Sequence, residues 1–161
     1  MARVVIGLDE ENGQSLLGFG RRLGLTVEQA DDAVQEVLLR LFRTLTSGVV
    51  VDDPKGWAFR TMYRIAMDEH RLRRRLNGLR ERLGWAEGQR ARPDDLGRIS
   101  LWSTVDGLPA RQRQVLYLRY KADLTFDEIA ATMGITAGGA RAVANKALTS
   151  LRNRIPPEDR P

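Results

Sequence analysis

Residues 124–148 have the sequence LTFDEIAATMGITAGGARAVANKAL, and this stretch constrains the fold more than any other. Thr125, with an acidic residue three positions later, has the pattern of a capping box at the start of a helix. Gly134 suits a tight turn, and Ala130, four positions earlier, is small enough to lie where two helices touch. Thr136 is a natural N-cap for a second helix. The stretch therefore predicts a helix-turn-helix, whose second helix typically enters the major groove of DNA.

The predicted second helix begins with two glycines, Gly138 and Gly139, although glycine is a poor helix former. One hypothesis is that a first turn without side chains lets the backbone N–H groups approach a phosphate closely. The alternative is a weak helix start with no special purpose. The residues of this helix expected to face DNA are Thr136, Gly138, Arg141, Asn145 and Lys146.

Helical signals dominate the rest of the chain, and we predict an all-α fold. Thr26 with Gln29 forms a second capping-box pattern, and Asp53 directly precedes a proline, an arrangement typical of a helix start. Strand signals are confined to two short, isolated apolar runs, residues 4–8 and 49–51. Hydrophobic periodicity elsewhere is that of a helix.

Glycine and proline are concentrated in residues 76–103, which we interpret as a flexible linker with at most one short helix. This linker separates two small helical domains, predicted over residues 10–75 and 104–155. A chain of 161 residues is long enough for two such domains, each with a modest core. Because the linker is long, we expect the two domains to move independently in the free protein.

The helix predicted over residues 27–45 has two distinct faces. Its apolar stripe is expected to face the core and comprises Val27, Ala30, Val34, Val37, Leu38, Leu41 and Leu45. The opposite face is polar and acidic, with one leucine, Leu39, in its middle. That leucine is either a chance exposed residue or an apolar anchor ringed by charges, as at protein interfaces, and geometry does not separate the two. We refer to Asp32, Gln35, Glu36 and Leu39 as the acidic face.

The next helix, predicted over residues 54–75, is strongly basic on one side. Its apolar stripe consists of Ala58, Met62, Ile65 and Leu72. Arginines interleaved with aromatic rings suit a strand of nucleic acid, because arginines meet phosphates and rings stack on bases. The alternative is a solvated basic face, with the aromatic residues packed on neighbouring helices. We refer to Trp57, Arg60, Tyr63, Arg64, Arg71 and Arg74 as the arginine face.

Composition narrows the classes of function. The net charge of +5 and the sequence pI of about 10.2 favour a polyanionic partner. The chain has no cysteine, which excludes disulfides and thiolate metal sites. Its single histidine, His70, is expected to be solvated or to face a phosphate. Because no serine–histidine pairing or glycine-rich phosphate loop is present, we predict a non-enzymatic protein with no cofactor and no metal.

Membrane and export signals are missing from the sequence. No apolar run approaches the roughly 20 residues needed to span a bilayer. The N-terminal stretch MARVVIGLDEENG has neither a long apolar segment nor a cleavage site. We therefore expect a cytoplasmic protein with no membrane partner.

Three motifs in order resemble the extracytoplasmic-function (ECF) sigma factors of bacterial RNA polymerase. They are ADDAVQEVLLRLFR, then PKGWAFRTMYRIA with the later RLRRR, then LPARQRQVLYLRY with LTFDEIAATMGIT. Each motif is moderately specific, and the three in order are highly specific. The resemblance covers residues 15–75 and 104–153, and it implies sigma region 2 followed by sigma region 4. It also implies an alternative sigma factor that binds core polymerase and directs promoter recognition and DNA melting.

The resemblance gives each face a role. In that family the acidic helix docks on the clamp coiled coil of the largest polymerase subunit, which here implies the acidic face. The following basic helix recognises and melts the −10 element, which implies the arginine face. The second domain binds the flap of the other large subunit, and its recognition helix reads the −35 element. An anti-sigma factor is a further partner that the resemblance allows. The implied −35 contacts are Arg141 and Asn145, with Lys146 on phosphate.

Two residues depart from the family pattern. Asp68 stands where the family usually has an asparagine that contacts DNA, and Val143 stands where it usually has an arginine. A carboxylate repels phosphate, and few other long side chains of the recognition helix reach base edges. Two alternatives stay open for these reasons. One is a helix-turn-helix regulator that acts without polymerase, and the other is a sigma-derived interaction protein.

Overall fold

The computed structural model describes residues 1–84 and 101–155, and every regular element in these ranges is an α-helix. The predicted all-α class is confirmed. Within the described ranges, none of the helices combines the length and the apolar character that crossing a bilayer requires. The helices are α1 (Ala2–Arg22), α2 (Val27–Thr46), α3 (Pro54–Arg82), α4 (Leu101–Asp106), α5 (Ala110–Tyr120), α6 (Phe126–Met133) and α7 (Ala137–Arg154).

Helix α1 contains one of the two short runs that carry strand signals in the sequence. Residues 4–8 lie inside this helix, and residues 49–51 lie in the loop between α2 and α3. The apolar side chains of α1 recur at helical spacing, and Leu8, Leu16 and Phe19 are all buried. A short β-branched run was therefore overridden by the longer pattern that places one face of α1 in the core.

The starts of α2 and α3 follow the predicted capping. Thr26 Oγ1 accepts a hydrogen bond from the Gln29 N–H at 3.1 Å, and the Gln29 carboxamide oxygen accepts one from the Thr26 N–H at 3.0 Å. Asp53 Oδ1 accepts from the Gly56 N–H at 2.9 Å. Val27 was expected in the core but is 56% exposed, because it occupies the first turn of α2.

Helix α3 is longer than predicted and leaves the bundle before it ends. It continues to Arg82, and its last buried residue is Ala66. Leu72, expected in the core stripe, is 50% exposed for this reason. The expectation for His70 was also wrong, because its half-buried ring bonds through Nε2 to the backbone carbonyl of Leu23. His70 therefore ties α3 to the end of α1.

Both ends of the predicted linker are helical. Helix α3 extends to Arg82 and α4 begins at Leu101, and both positions lie within residues 76–103. Residues 85–100 lie outside the described part of the chain, and so does the predicted linker flexibility.

The two halves of the chain share one core, which contradicts the expected independence of the two domains. Buried residues of α1, α2 and α3 form a single cluster with buried residues of α5, α6 and α7. The Tyr117 ring of α5 stacks on the Phe19 ring of α1, with centroids 6.0 Å apart and planes 12° apart. The Tyr117 hydroxyl donates to the backbone carbonyl of Ser15 at 2.9 Å. No local sequence pattern indicates this contact, because its partners are 102 residues apart.

Arg22 strengthens the junction of α1 with α4 and α5. Its guanidinium lies 4.7 Å from the centroid of the Tyr117 ring and 5.5 Å from that of Trp102. Its Nε also lies 3.0 Å from a carboxylate oxygen of Asp106. A cation held between two rings and a carboxylate, largely shielded from water, fixes the orientation of the two halves.

Candidate functional site

The acidic face lies on the surface of α2. Asp32 and Gln35 are exposed, Glu36 is half-buried, and Leu39 is 42% exposed. The structure therefore brings together all four residues of this face. Glu36 forms an ion pair with Arg40 one turn later, with 2.6 Å between Oε1 and Nε. Leu39 thus lies among polar groups as an uncovered apolar side chain.

A groove between α2 and α3 extends this acidic surface. It has a volume of about 270 Å³, and its lining includes the apolar residues Leu25 and Ile65 together with Asp32 and Glu36. Glu69 of α3 adds a third carboxylate to the groove. Glu69 cannot be recognised from the sequence, because only the packing of α3 on α2 places it there. The groove therefore combines apolar lining with negative charge, which suits a basic side chain of a partner.

The arginine face is divided by burial. Trp57, Arg60 and Tyr63 are half-buried, and both aromatic rings pack against the shared core. The remaining members, Arg64, Arg71 and Arg74, are exposed. Helix α6 packs against α3, so the second half of the chain also contacts the helix that carries this face. The exposed arginines are the members that phosphate can reach without rearrangement.

Asp68 has a partner on its own helix. Its Oδ1 lies 2.8 Å from a terminal nitrogen of Arg71, and both side chains are exposed. An exposed pair of this kind is weak and gives way to a competing phosphate. Asp68 therefore lowers the local positive charge of the arginine face at one point.

The helix-turn-helix forms as predicted. Thr125 Oγ1 accepts from the Glu128 N–H at 3.2 Å, and Gly134 ends α6 in a left-handed conformation with φ of 67°. Thr136 caps α7, because its Oγ1 accepts from the Gly139 N–H at 3.0 Å. All five of the predicted DNA-facing residues on and before α7 are exposed, namely Thr136, Gly138, Arg141, Asn145 and Lys146.

The two glycines at the start of α7 have different surroundings. A Cβ on Gly138 would meet nothing within 4 Å, whereas a Cβ on Gly139 would lie 3.0 Å from Thr136 Oγ1. Gly139 therefore leaves room for the cap of its own helix. Gly138 leaves an open backbone surface at the positive end of the α7 dipole.

Arg141 does not extend freely from α7. Its guanidinium lies 5.1 Å from the centroid of the Phe126 ring, which also has Arg119 at 5.4 Å. Phe126 and Arg119 cannot be recognised from the sequence, because no local pattern joins α5, α6 and α7. The shared ring orients Arg141 and keeps two positive charges at one edge of the recognition helix.

Metal-binding groups are not clustered in the described ranges. No set of three or more histidine, aspartate or glutamate side chains is arranged there to hold an ion. The described part of the chain presents three predicted sites on its surface, which are the acidic face with its groove, the arginine face and the outward side of α7.

Two family comparisons match successive parts of the chain. Residues 8–76 match Sigma-70 region 2, and residues 105–153 match Sigma-70, region 4. The first match contains the acidic face and the arginine face, and the second contains the helix-turn-helix. The two matches occur in the order that the three sequence motifs predict.

Curated relatives of the same kind span most of the chain. ECF RNA polymerase sigma factor EcfG of Rhodopseudomonas palustris is 26% identical over 141 residues, which is 85% of this chain and 77% of that protein. ECF RNA polymerase sigma factor SigL of Mycobacterium tuberculosis is 27% identical over 158 residues, or 94% of this chain and 88% of that protein. RNA polymerase sigma factor SigV of Bacillus subtilis is 26% identical over 137 residues, which is 83% of this chain and 81% of that protein.

Two solved structures share the fold. One is CnrH in complex with the cytosolic domain of CnrY, with a TM-score of 0.61 and 21% identity over 95% of this chain and 88% of that one. The other is the sigma factor RpoE of Bartonella quintana in complex with the anti-sigma factor NepR. It has a TM-score of 0.62 and 19% identity over 91% of this chain and 95% of that one.

Proposed function

The chain belongs to the ECF family of RNA polymerase sigma factors, and from that premise we propose how its surfaces divide the work of transcription initiation. It is an alternative sigma factor, so its partners are core RNA polymerase and promoter DNA. It acts as an initiation factor rather than as an enzyme, in the cytoplasm where the polymerase works. The observation that carries this function is the ordered pair of region 2 and region 4 matches.

We assign the main polymerase contact to the acidic face. What supports this assignment is an exposed leucine, Leu39, ringed by Asp32, Gln35 and Glu36. An apolar side chain that becomes buried within a polar rim often dominates binding. The adjoining groove would receive a basic side chain of the clamp coiled coil, with Glu69 as an added carboxylate.

Promoter DNA would be shared between α3 and α7. The exposed arginines of the arginine face would meet phosphates of the −10 element, while Trp57 and Tyr63 would contact unstacked bases after melting. Arg141 and Asn145 of α7 would read base edges of the −35 element. The open backbone at Gly138 would lie against a phosphate.

The shared core has to open for this function. The −10 and −35 elements are centred about 25 base pairs apart, which is about 85 Å along B-form DNA. A compact chain of 161 residues has a radius of gyration of only about 15 Å. One closed particle therefore cannot contact both elements at once. We infer that polymerase binding separates the two halves at the Tyr117 junction, and that the closed form is the free state.

The test of the sigma function is DNA binding with and without core polymerase. Purified chain and promoter fragments carrying candidate −10 and −35 elements are run on native gels, alone and with core enzyme. We expect promoter-specific binding only when core enzyme is present. Specific binding without core enzyme would instead favour the helix-turn-helix regulator. Core binding without any promoter preference would favour the sigma-derived interaction protein.

An anti-sigma factor stays a predicted partner. The structure of RpoE of Bartonella quintana contains the anti-sigma factor NepR. At 19% sequence identity, its similarity to this chain is one of fold. Pull-down from the native host with the full chain as bait, in the presence and absence of core polymerase, would test this partner. A protein that binds the chain and competes with core enzyme is the expected result.

A further inference from the structure

The last turns of α3 and its C-cap residue carry a line of four exposed leucines, which we call the leucine seam. Leu72, Leu76, Leu79 and Leu83 are 50%, 45%, 50% and 53% exposed. Their spacing of four, three and four residues is that of alternating d and a positions of a coiled coil. The seam lies beyond Ala66, the last buried residue of α3. The seam therefore has the pattern of a helix-docking face, but its leucines are exposed.

Arginine occupies every position that flanks the leucine seam. In the register that puts leucine at d and a, Arg73 and Arg80 fall at e, and Arg75 and Arg82 fall at g. Arg73 donates to the Gln29 side-chain oxygen at 3.3 Å. Arg75, Arg80 and Arg82 are exposed, and none of them forms an ion pair with a described residue. The flanking positions set the choice of partner in coiled coils, and here they are uniformly positive.

We propose that the leucine seam docks an acidic amphipathic helix of a partner protein. Apolar residues of that helix would cover the four leucines, and its glutamates or aspartates would face the arginines at e and g. A second copy of this chain fits poorly, because it would bring arginine opposite arginine along the whole contact. A nucleic-acid strand fits poorly as well, because leucine has no ring on which a base can stack. Charge complementarity therefore selects an acidic helix.

Two heptads are short for an isolated coiled coil, but α3 does not have to nucleate for this purpose. Its first half, from Gly56 to Ala66, is anchored in the bundle by buried residues. The exposed turns only propagate an existing helix, so the cost of ordering falls mainly on the partner. Gly78 lies outside the seam at a c position, which does not contact a partner helix.

The test uses the full chain and two synthetic helical peptides of three heptads. Both peptides carry leucine at a and d, and they differ only in having glutamate or lysine at e and g. Binding is measured by fluorescence anisotropy. We expect the glutamate peptide to bind saturably and at least about tenfold more tightly than the lysine peptide.

Two double variants probe the two halves of the proposal. Leu76→Ala with Leu79→Ala removes seam contacts while keeping helix formers at exposed sites. This double variant should weaken binding of the glutamate peptide by about tenfold or more. Arg75→Glu with Arg80→Glu should reverse the preference between the two peptides. The control, Val4→Ala with Ile6→Ala, truncates two exposed apolar side chains of α1 and should leave binding unchanged.

Three results would overturn the proposal. The first is equal binding of both peptides, or binding of neither. The second is concentration-dependent self-association in analytical ultracentrifugation that the leucine variant abolishes, which would assign the seam to a second copy. The third is loss of single-stranded DNA binding in the leucine variant without any change in peptide binding, which would assign it to nucleic acid.

Discussion

The hydroxyl of Tyr117 lies so close to Gly18 that a Cβ on residue 18 would overlap with the hydroxyl oxygen. The two residues belong to different halves of the chain, α5 and α1, and Tyr117 also bonds to the Ser15 carbonyl one turn away. A glycine within a helix, such as Gly18 near the C-terminal end of α1, costs helix stability relative to alanine, by about 0.5–1 kcal/mol. Here that cost is offset by the close approach of the two halves.

Gly18→Ala is therefore expected to open the shared core. The added methyl group displaces the Tyr117 hydroxyl from Ser15, which destabilises the closed form by on the order of 1–3 kcal/mol. Small-angle scattering of the free chain should give a larger radius of gyration than the wild type. Gly7→Ala is the matched control, because a Cβ at residue 7 of the same helix meets nothing within 4 Å. An unchanged radius in Gly18→Ala would contradict the role of this contact.

Stability at high pH should depend on Tyr117. Burial raises its pKa to about 12, with the negative charge of Asp106 adding to the effect and the positive charge of Arg22 opposing it. In the unfolded chain a tyrosine ionises near pH 10. Between about pH 10 and 12 the folded state keeps a proton that the unfolded state has lost, so the free energy of unfolding falls as pH rises.

The fall attributable to Tyr117 is at most about 3 kcal/mol and is complete near its folded pKa. Urea denaturation of the wild type and Tyr117→Phe at pH 8 and pH 11 would measure it. Phenylalanine keeps the ring against Phe19 and removes the titrating group. The variant should lose less stability than the wild type between the two pH values. Equal losses would mean that Tyr117 ionises as readily in the folded chain as in the unfolded chain.

Leu39→Asp should weaken binding of core polymerase while leaving thermal stability nearly unchanged. Leu39 is 42% exposed, so the folded chain loses little packing, whereas an interface would have to bury a charge. Pull-down of core enzyme and a melting curve measure the two effects. Val27→Asp is the control, since Val27 is an exposed apolar residue on a different side of α2. Unfolding of Leu39→Asp would place Leu39 in the core and refute the assignment.

Arg141 and Lys146 should differ in how they affect the −35 element. Arg141→Ala is expected to relax the base preference at one or two positions, because an arginine–guanine pair is worth about 1–3 kcal/mol of discrimination. Lys146→Ala should weaken binding by a similar factor on all promoters and reduce its salt dependence. Open-complex formation across a randomised −35 element separates the two effects. A uniform loss in Arg141→Ala would show that α7 is held by phosphates alone.

The two glycines of α7 offer a matched pair of substitutions. Gly138→Ala should raise stability by up to about 1 kcal/mol, because its Cβ meets no neighbour. Gly139→Ala should gain less, because its Cβ would crowd the Thr136 cap at 3.0 Å. If the backbone of Gly138 approaches a phosphate, the stabilised Gly138→Ala variant should nevertheless lose −35-dependent binding. Wild-type binding by that variant would support the weak-helix-start alternative.

Local sequence determined the helices and their outward faces. Capping boxes at Thr26 and Thr125 and the turn at Gly134 involve groups three or four residues apart, so they can be recognised from the order of residues alone. The same applies to the acidic face and to the outward side of α7, because helical periodicity fixes which side chains share a side. The three family motifs lie within these elements, which is why they were recognisable.

Tertiary structure decided which residues of the two halves contact each other and which apolar faces are covered. The Tyr117–Ser15 bond joins residues 102 apart and the His70–Leu23 bond joins residues 47 apart, and periodicity within one helix carries no information about such pairs. Leu72 looked like a core residue because a helical stripe does not reveal where the bundle ends. Long-range packing alone determines which apolar faces are covered, and it therefore closed the core at Tyr117 and left the leucine seam exposed.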